Sequence, residues 1–508
     1  MSRSFYDVIL LGMDTSSLAC GALLAKRGFR VLVIGQQVPA AEYSLGPYKL
    51  PRAPFTWSAA RSPVAQRMLT ELGCGPSMRR LSQALEPAYQ VALPGHRFDV
   101  PTAEAELERE IEREFNEVKR PAREHFRQLR ERAEATDRLL ARDIALPPQT
   151  FLERRELARA AADIGLDRDG GARDPLMELP ERHPFRAAAL VPTCFGASVE
   201  SSSLTPLQLC RLQAGLAIQA AQLSGGAASL HALLADRIRS CSGELRPSEH
   251  AAEILVKRGT VHGVRLFGSD EEIGASVVAT SLDLSALTRL LEDRRPLLEL
   301  FERIGEPQPR QYRYTLNLVL QRRALPDGMA RDVYCVRDVG RPLAHENVLH
   351  IESARAEGYS RLCVETLIAA RAVEERDDLL DTTRERVIDA LTELMPFLRE
   401  HIVAIDSPHD GRPPHATDGS PLALEHADRR GPQTMRGVYA FPVTSALGLC
   451  AMPVRTTIGG LLLCGTQVSP GLGVEGELLS ASAAARVVCR ADRKQPWLRR
   501  RLWPKVEM

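Results

Sequence analysis

The segment YDVILLGMDTSSLACGALLAKRGFRVLVIGQQ, residues 6–37, decides the predicted fold of this chain. An apolar run at 8–11 stops at Gly12, and a segment of small and apolar residues then continues to Gly28. A second apolar run, 31–34, ends 22 residues beyond Gly12. Strand, turn, helix and strand in this order predict a right-handed βαβ unit in a parallel sheet. Such a unit opens a dinucleotide-binding fold.

The turn of this unit departs from the G-x-G-x-x-G fingerprint, whose glycines allow a tight turn and close approach to a pyrophosphate. Gly12 stands at the first position, whereas Asp14 and Ser17 take the second and third. Gly35 and Gln36 replace the acidic residue that holds a ribose hydroxyl at the end of the second strand, although Gln36 can still donate a hydrogen bond.

Asp14 is the most consequential of these departures. A carboxylate about 5 Å from a phosphate costs about 3 kcal/mol at an effective dielectric constant near 20, or about two decades in affinity. Asp14 and the Thr-Ser-Ser that follows it are also good N-cap residues, whose side chains can occupy the N–H groups that a phosphate needs. We therefore expect a degenerate dinucleotide site filled by the protein itself.

Composition limits the function classes. The 508 residues are 44% hydrophobic and 26% charged with a net charge of +1, which predicts a globular protein of about two domains with no general attraction to nucleic acid. The ten cysteines form no C-x-x-C pair and no cluster with histidine at ligand spacing, so we expect reduced thiols and no metal site.

The length of the apolar segments and the composition of the C-terminal tail predict the cellular location of the protein. No run approaches ~18 residues and no signal peptide is evident, so we expect a cytoplasmic protein. The tail Arg490–Met508 interleaves arginine and lysine with Trp497 and Trp503, a composition that suits an anionic membrane surface and peripheral membrane association. A tail that is solvated or docked on protein is the equal alternative.

The middle of the chain changes pattern. The segments YRYTLNLVLQ (312–321), DVYCV (332–336), NVLHIESA (347–354) and RLCVETLIA (361–369) alternate with period two, which predicts an antiparallel sheet and hence a second domain. Residues 107–133 predict one long amphipathic helix interrupted by Pro121. This helix either packs on the domain with a solvated outer face or serves as a partner-binding arm.

The last informative segment is GLLLCGTQVSPGLGVEGELLSASAAARVV, residues 460–488. It predicts a strand, a glycine-rich turn and a helix of small residues. Glycines let the backbone pass close to another surface or a flat ligand, so the turn is either a packing joint or a joint that faces a cofactor. Candidate cofactor-facing residues are Gly225, Gly226, Gly465, Pro470, Gly471, Gly473 and Gly476.

In order along the chain, the βαβ unit, YQVALPGHRFDVP (89–101), Gly225-Gly226, VVATSLD (277–283) and CGTQVSPGLGVEGELLSASAAA (464–485) resemble the phytoene desaturase branch of the flavin-dependent amine oxidase superfamily. The resemblance covers nearly the whole chain. It implies FAD between Gly12 and the turn at 465–476, and an antiparallel substrate domain over a hydrophobic tunnel. It also implies desaturation or isomerisation of isoprenoids or similar apolar molecules, with flavin as hydride acceptor.

The resemblance implies a specific architecture. The fold class is α/β, with a Rossmann-like FAD-binding domain of the glutathione-reductase type and a second α+β substrate domain built on an antiparallel sheet. We expect a discontinuous first domain of residues 1–95, 200–305 and 435–490, a substrate or cap domain of residues 96–199 and 306–434, and a basic tail at 491–508.

Two functions remain open at this stage. Asp14, Ser17, Gly35 and Thr466, which replaces the usual acid of the closing motif, all fall where FAD would bind. One hypothesis is a non-catalytic binding or scaffold protein for an apolar ligand or a protein partner, for which the GDP dissociation inhibitors and escort proteins of Rab GTPases are a precedent in the superfamily. The alternative is an active FAD-dependent oxidoreductase. No catalytic residue can be assigned.

Overall fold

The computed structural model describes residues 4–166, 174–424, 430–441 and 446–491. Strands within these ranges are β1 (Phe5–Leu11), β2 (Val31–Ile34), β3 (Glu42–Leu45), β4 (Tyr48–Pro51), β5 (Ser82–Ala84), β6 (Tyr89–Leu93), β7 (His96–Val100), β8 (Ala221–Leu223), β9 (Glu244–Arg246), β10 (Ala251–Lys257), β11 (Thr260–Leu266), β12 (Glu272–Thr280), β13 (Gln308–Gln321), β14 (Asp332–Val336), β15 (Val348–Arg355), β16 (Tyr359–Ala369), β17 (Ile402–Asp406), β18 (His415–Ala416), β19 (Arg436–Ala440) and β20 (Leu461–Leu463).

The α-helices of the same ranges are α1 (Thr15–Lys26), α2 (Pro63–Glu71), α3 (Gly75–Leu81), α4 (Glu104–Glu114), α5 (Lys119–Ala141), α6 (Phe151–Ile164), α7 (Pro184–Leu190), α8 (Thr193–Gly196), α9 (Pro206–Ala217), α10 (Gly226–Ser240), α11 (Leu284–Arg289), α12 (Arg295–Ile304), α13 (Ala370–Glu375), α14 (Leu379–Leu394), α15 (Leu398–His401) and α16 (Gly473–Ala491).

The first sheet confirms the predicted βαβ unit. Its strand order is β10-β11-β12-β1-β2-β9, with β20 beside β12. β1 lies parallel to β2 on one side and to β12 on the other. α1 connects β1 to β2, whereas β12 lies more than 200 residues further along the chain. All four residues of β2 and the last four of β1 are buried, as expected for central strands covered on both faces.

Three helices form a layer on this sheet. α1 packs against both α10 and α16, although 200 or more residues separate it from each of them. Every residue of α1 except Lys26 is buried, which its small side chains permit. The layer brings the start of α1, the first half of α10 and the start of α16 to one region, at the carboxyl end of β1.

The second sheet confirms the predicted antiparallel strands. Its order is β18-β17-β13-β16-β15-β14-β6-β7, with β19 also paired to β13. One face carries apolar residues that pack on α14, among them Leu349, Ile351, Leu362 and Val364. The hairpin β6–β7 extends this sheet through parallel pairing of β6 with β14, and the expected domain boundary at residue 95 falls inside its turn.

The predicted long helix is divided at a different residue from the one expected. α4 ends at Glu114, Phe115 takes a non-helical conformation, and α5 begins at Lys119. Pro121 lies in the first turn of α5, where the N–H that proline lacks would have no helical partner in any case. Phe115 is fully buried against Phe98 and Phe185, so tertiary packing rather than proline sets the break.

Candidate functional site

The turn between β1 and α1 is closed by contacts within the protein. Asp14 is the N-cap of α1, and its Oδ1 accepts a hydrogen bond of 2.9 Å from the backbone N–H of Ser17. The Ser17 hydroxyl donates to Oγ of Ser281 over 2.8 Å, which ties the turn to the end of β12. A Cβ added at Gly12 would lie 2.5 Å from the same Oγ. The predicted site residues Gly12, Asp14 and Ser17 therefore meet here.

Asp14 occupies the anion site of its own helix. The N-terminal N–H groups of a helix attract negative charge, and this carboxylate accepts hydrogen bonds from the backbone N–H groups of Ser16 and Ser17. Burial raises the pKa of Asp14, while its polar contacts with Ser16, Ser17 and Ser281 lower it in part. A pyrophosphate would have to displace the carboxylate or bind beside it.

The position of the ribose acid is closed in a similar way. A Cβ added at Gly35 would lie 1.9 Å from the carbonyl oxygen of Pro247, so no acidic side chain can be accommodated there without a backbone shift. The side chain of Gln36 donates to the carbonyl of Ala251 over 3.0 Å and accepts from the N–H of Ala251 over 2.9 Å. Gln36 thus binds β10, and its amide is already satisfied.

The glycine-rich turn at residues 465–476, here called the closing turn, packs closely against other segments of the chain at each of its glycines. A Cβ added at Gly465, Gly471, Gly473 or Gly476 would come within 2.2–2.6 Å of atoms of the chain itself. A Cβ at Gly465 would contact the Gln467 side chain and the Ser281 carbonyl, and one at Gly471 would contact the Gln208 amide. A Cβ at Gly473 would contact the Gly196 carbonyl, and one at Gly476 the Ser469 carbonyl. The Pro470 carbonyl accepts the N–H of Ser198 over 2.9 Å.

Gly225 and Gly226 behave differently from the closing turn. Gly225 caps α10 with a left-handed backbone, and a Cβ there would meet only the side chain of Ser229. A Cβ at Gly226 would meet nothing within 4 Å. Of the predicted glycines, Gly226 is therefore the one that faces open space, as a residue beside a ligand would.

Three ionisable residues that the motif analysis missed complete the site. The hydroxyl oxygen of Thr15 on α1 lies 3.1 Å from His231 Nε2 of α10. Thr15 is also close enough to Glu477 of α16 to lower the pKa of that carboxyl group in part. The third residue is Arg436 of β19, whose guanidinium lies 3.5 Å from Glu365 and close enough to act electrostatically on His231 and Glu477.

Burial and neighbouring charges shift the pKa values of this group. Burial, followed by the nearby charge of Asp14, raises the pKa of Glu477 to about 7. Burial and, secondarily, Arg436 lower the pKa of His231 to about 4, so that its imidazole is neutral at physiological pH. Two acidic groups with raised pKa values thus stand where the resemblance places the phosphates of FAD.

The face of the second sheet that meets the first domain is ionic. Because side chains alternate along a strand, the residues next to the apolar positions of β15 point the other way. Glu352 accepts the N–H of Phe55 over 2.7 Å, and Asp332 accepts the hydroxyl of Thr56 over 3.2 Å. Arg331 pairs with both carboxylates, at 2.7 Å from Asp332 and 3.1 Å from Glu352. The resemblance implies a hydrophobic tunnel on this side of the sheet.

The residues at the turn do not fit the pyrophosphate and ribose of FAD as they stand. The Asp14 carboxylate already accepts the Ser17 N–H at the start of α1, an acidic side chain does not fit at Gly35, and Glu477 adds a second carboxyl group nearby. Among the described residues, no group of three or more His, Cys, Asp or Glu is arranged to hold a metal ion. No helix in the described part of the chain combines the length and apolarity needed to cross a membrane.

No protein-family model and no curated protein matches the sequence. The structure is similar to an oxidoreductase from Methanosarcina mazei, with 14% identity, 94% of this chain and 99% of that one covered, and a TM-score of 0.57. It is also similar to putrescine oxidase bound to putrescine, with 14% identity, 96% of this chain and 99% of that one covered, and a TM-score of 0.55. For cyclohexylamine oxidase from Brevibacterium oxydans the identity is 15%, the coverage is 95% of this chain and 98% of that one, and the TM-score is 0.54.

These likenesses show that the chain has the fold of flavin-dependent oxidoreductases across almost its whole length. Fold and activity are separable, however, and the activity must be argued from the site. The narrower assignment to the phytoene desaturase branch stays a prediction.

Proposed function

We propose that this chain is a non-catalytic binding protein that keeps the fold of flavin-dependent oxidoreductases without holding FAD at the β1–α1 turn. The observation that carries the proposal is the Asp14 carboxylate, which takes the N–H groups of α1 that a pyrophosphate would need. Glu477 strengthens it at pH values above its raised pKa of about 7, where a second carboxylate near the same helix end would repel a phosphate further.

The ligand is better matched by polar chemistry than by an isoprenoid. His231 and Glu477 lie together near the start of α1, within electrostatic reach of Arg436, and the adjoining face of the second sheet carries Asp332 and its partners. Burying a purely apolar molecule against Arg436, whose side chain is 63% exposed, would remove its charge from water without a new partner. A protein partner or a small molecule with polar groups therefore fits the described residues, and an apolar ligand remains the weaker form of the proposal.

FAD titration of three proteins tests the proposal. Wild-type protein, Asp14→Asn and Asp14→Gly are each titrated with FAD by calorimetry. Asparagine keeps the cap hydrogen bond and removes the charge, whereas glycine removes both. We expect no heat of binding for the wild type and measurable binding for Asp14→Gly. Binding by Asp14→Asn as well would assign the exclusion to charge, and its absence would assign it to occupancy of the N–H groups.

An active FAD-dependent oxidoreductase is the second candidate. The open space at Gly226 and the fold shared with amine oxidases favour it. Stoichiometric FAD binding by the wild-type protein, at an affinity unchanged in Asp14→Gly, would overturn the first proposal in favour of this one. The two candidates therefore differ in a single titration.

A further inference from the structure

A depression of about 880 Å³ lies at one end of the second sheet, within the size range of sites that bind small organic ligands. It is formed where β13 ends at Gln321, where β15 ends at Arg355, and where the connection from α14 to α15 passes over both. None of its residues belongs to the turn of β1 and α1, so an inference about it stands apart from the proposed function.

Three arginines line this depression without a carboxylate partner. Arg322, Arg323 and Arg355 are exposed, and none of them makes an ion pair or a side-chain hydrogen bond with the described part of the chain. Asp327 is the one acidic residue in the lining, so the three arginines exceed the carboxylates by two charges.

Other arginines around α14 are paired. Arg337 lies 3.2 Å from Glu393, Arg399 lies 2.6 Å from Asp389, and Arg412 lies 2.5 Å from Asp381. Three arginines without an ion pair among the described residues thus lie together in the depression, whereas these three neighbours around α14 are paired. Charge complementarity therefore calls for an anionic occupant.

Apolar side chains complete the lining. Leu325 and Met395 are buried at 9% and 7% exposure and face the depression from below. Phe397 and Leu394 stand at its edge, with 71% and 39% of their surface exposed. A large aromatic side chain that is mostly in water gains from an apolar partner, and it lies here beside the arginines.

We infer that this depression binds an amphiphilic anion, a molecule in which a phosphate or carboxylate group is joined to an apolar chain. Each guanidinium presents parallel N–H donors that match two oxygens of a phosphate or carboxylate. The apolar chain packs on Leu325, Met395 and Phe397, which removes the exposed aromatic surface from water. A lipid headgroup and a soluble amphiphile share this chemistry.

Binding of dodecyl phosphate below its micellar concentration tests the inference by calorimetry on the full chain. We expect saturable binding of one molecule per chain, weakened about tenfold in Arg322→Ala, in Arg355→Ala and in Phe397→Ala. Arg371→Ala is the matched control, because Arg371 is 87% exposed on α13 and pairs with Glu375; it should bind as the wild type does. Arg355→Gln replaces Arg355→Ala if the alanine variant fails to fold.

Inorganic phosphate and lipid vesicles complete the design. Inorganic phosphate that binds as tightly as dodecyl phosphate would overturn the inference, since the apolar part would then contribute nothing. Dodecyl phosphate that fails to saturate, or that loses affinity equally in Arg371→Ala, would overturn it as well. Binding to phosphatidylglycerol vesicles that Arg322→Ala and Phe397→Ala both weaken would identify a lipid headgroup. Binding of dodecyl phosphate without vesicle binding would identify a soluble amphiphile.

Discussion

Replacing Glu477 by glutamine should make the protein less sensitive to rising pH. The pKa of Glu477 is raised from 4.5 to about 7 in the folded protein, first by burial and then by the charge of Asp14. A carboxyl group with a raised pKa favours the folded state while it is protonated. Its contribution is complete below the unfolded pKa and is lost as the pH rises through the folded pKa.

The size of this effect follows from the pKa shift. A rise of about 2.5 units at about 1.4 kcal/mol per unit gives at most about 3.5 kcal/mol of stability lost between about pH 4.5 and pH 8. For a domain of roughly 250 residues this corresponds to a fall of at most about 7–14 °C in the unfolding midpoint. Partial exposure of Glu477 makes these values upper figures.

Thermal unfolding between pH 5 and pH 8 measures the effect. The difference in midpoint between Glu477→Gln and wild type should grow in favour of the variant as the pH rises. Asp14→Asn should reduce the pH dependence of the wild type, because it removes the charge that helps to raise the pKa of Glu477. Glu131→Gln, on the exposed face of α5, controls for loss of one carboxylate. A midpoint difference that is constant from pH 5 to pH 8 would refute the reasoning.

Two further substitutions test the packing around the site. Gly35→Ala should lower the free energy of unfolding, measured by urea denaturation, by about 3 kcal/mol, because the new Cβ would contact the Pro247 carbonyl. Gly75→Ala is the control and should change it little, because the nearest atom to its Cβ lies 3.6 Å away on a flexible arginine. Equal effects of the two substitutions would contradict the close approach at Gly35. Glu475→Gln should cost about 3 kcal/mol, since it removes the more deeply buried of the two carboxylates that pair with the buried Arg211, at 2.7 Å, and leaves Asp137 as the other. A loss below about 1 kcal/mol would show that Asp137 suffices.

Much of the fold could be predicted because its signals are local. The βαβ unit of residues 6–37 and the period-two strands after residue 310 each carry their pattern within a few residues, and the structure confirms both. The break in the charged helix could not be predicted in the same way. It depends on Phe115 entering a cluster with Phe98 and Phe185, which lies 70 residues further along the chain.

The site was predicted only in part, because its partners come from distant segments. Asp14 was identified by its position in the motif, and its capping role is visible in the sequence itself. Glu477, His231 and Arg436 lie more than 200 residues from Asp14 and belong to no motif. A glutamate within a helix of small residues was the available signal for Glu477. Motif glycines also look alike in sequence, and only the structure shows Gly226 open and Gly471 packed.

The visible absorption spectrum of the purified wild-type protein tests the central claim most directly. Asp14 holds the N–H groups of α1, so we predict a protein without flavin bands between about 370 and 450 nm that takes up no FAD when incubated with it before gel filtration. The same treatment of Asp14→Gly should leave bound flavin. A wild-type protein that elutes yellow, with one FAD per chain, would contradict the account.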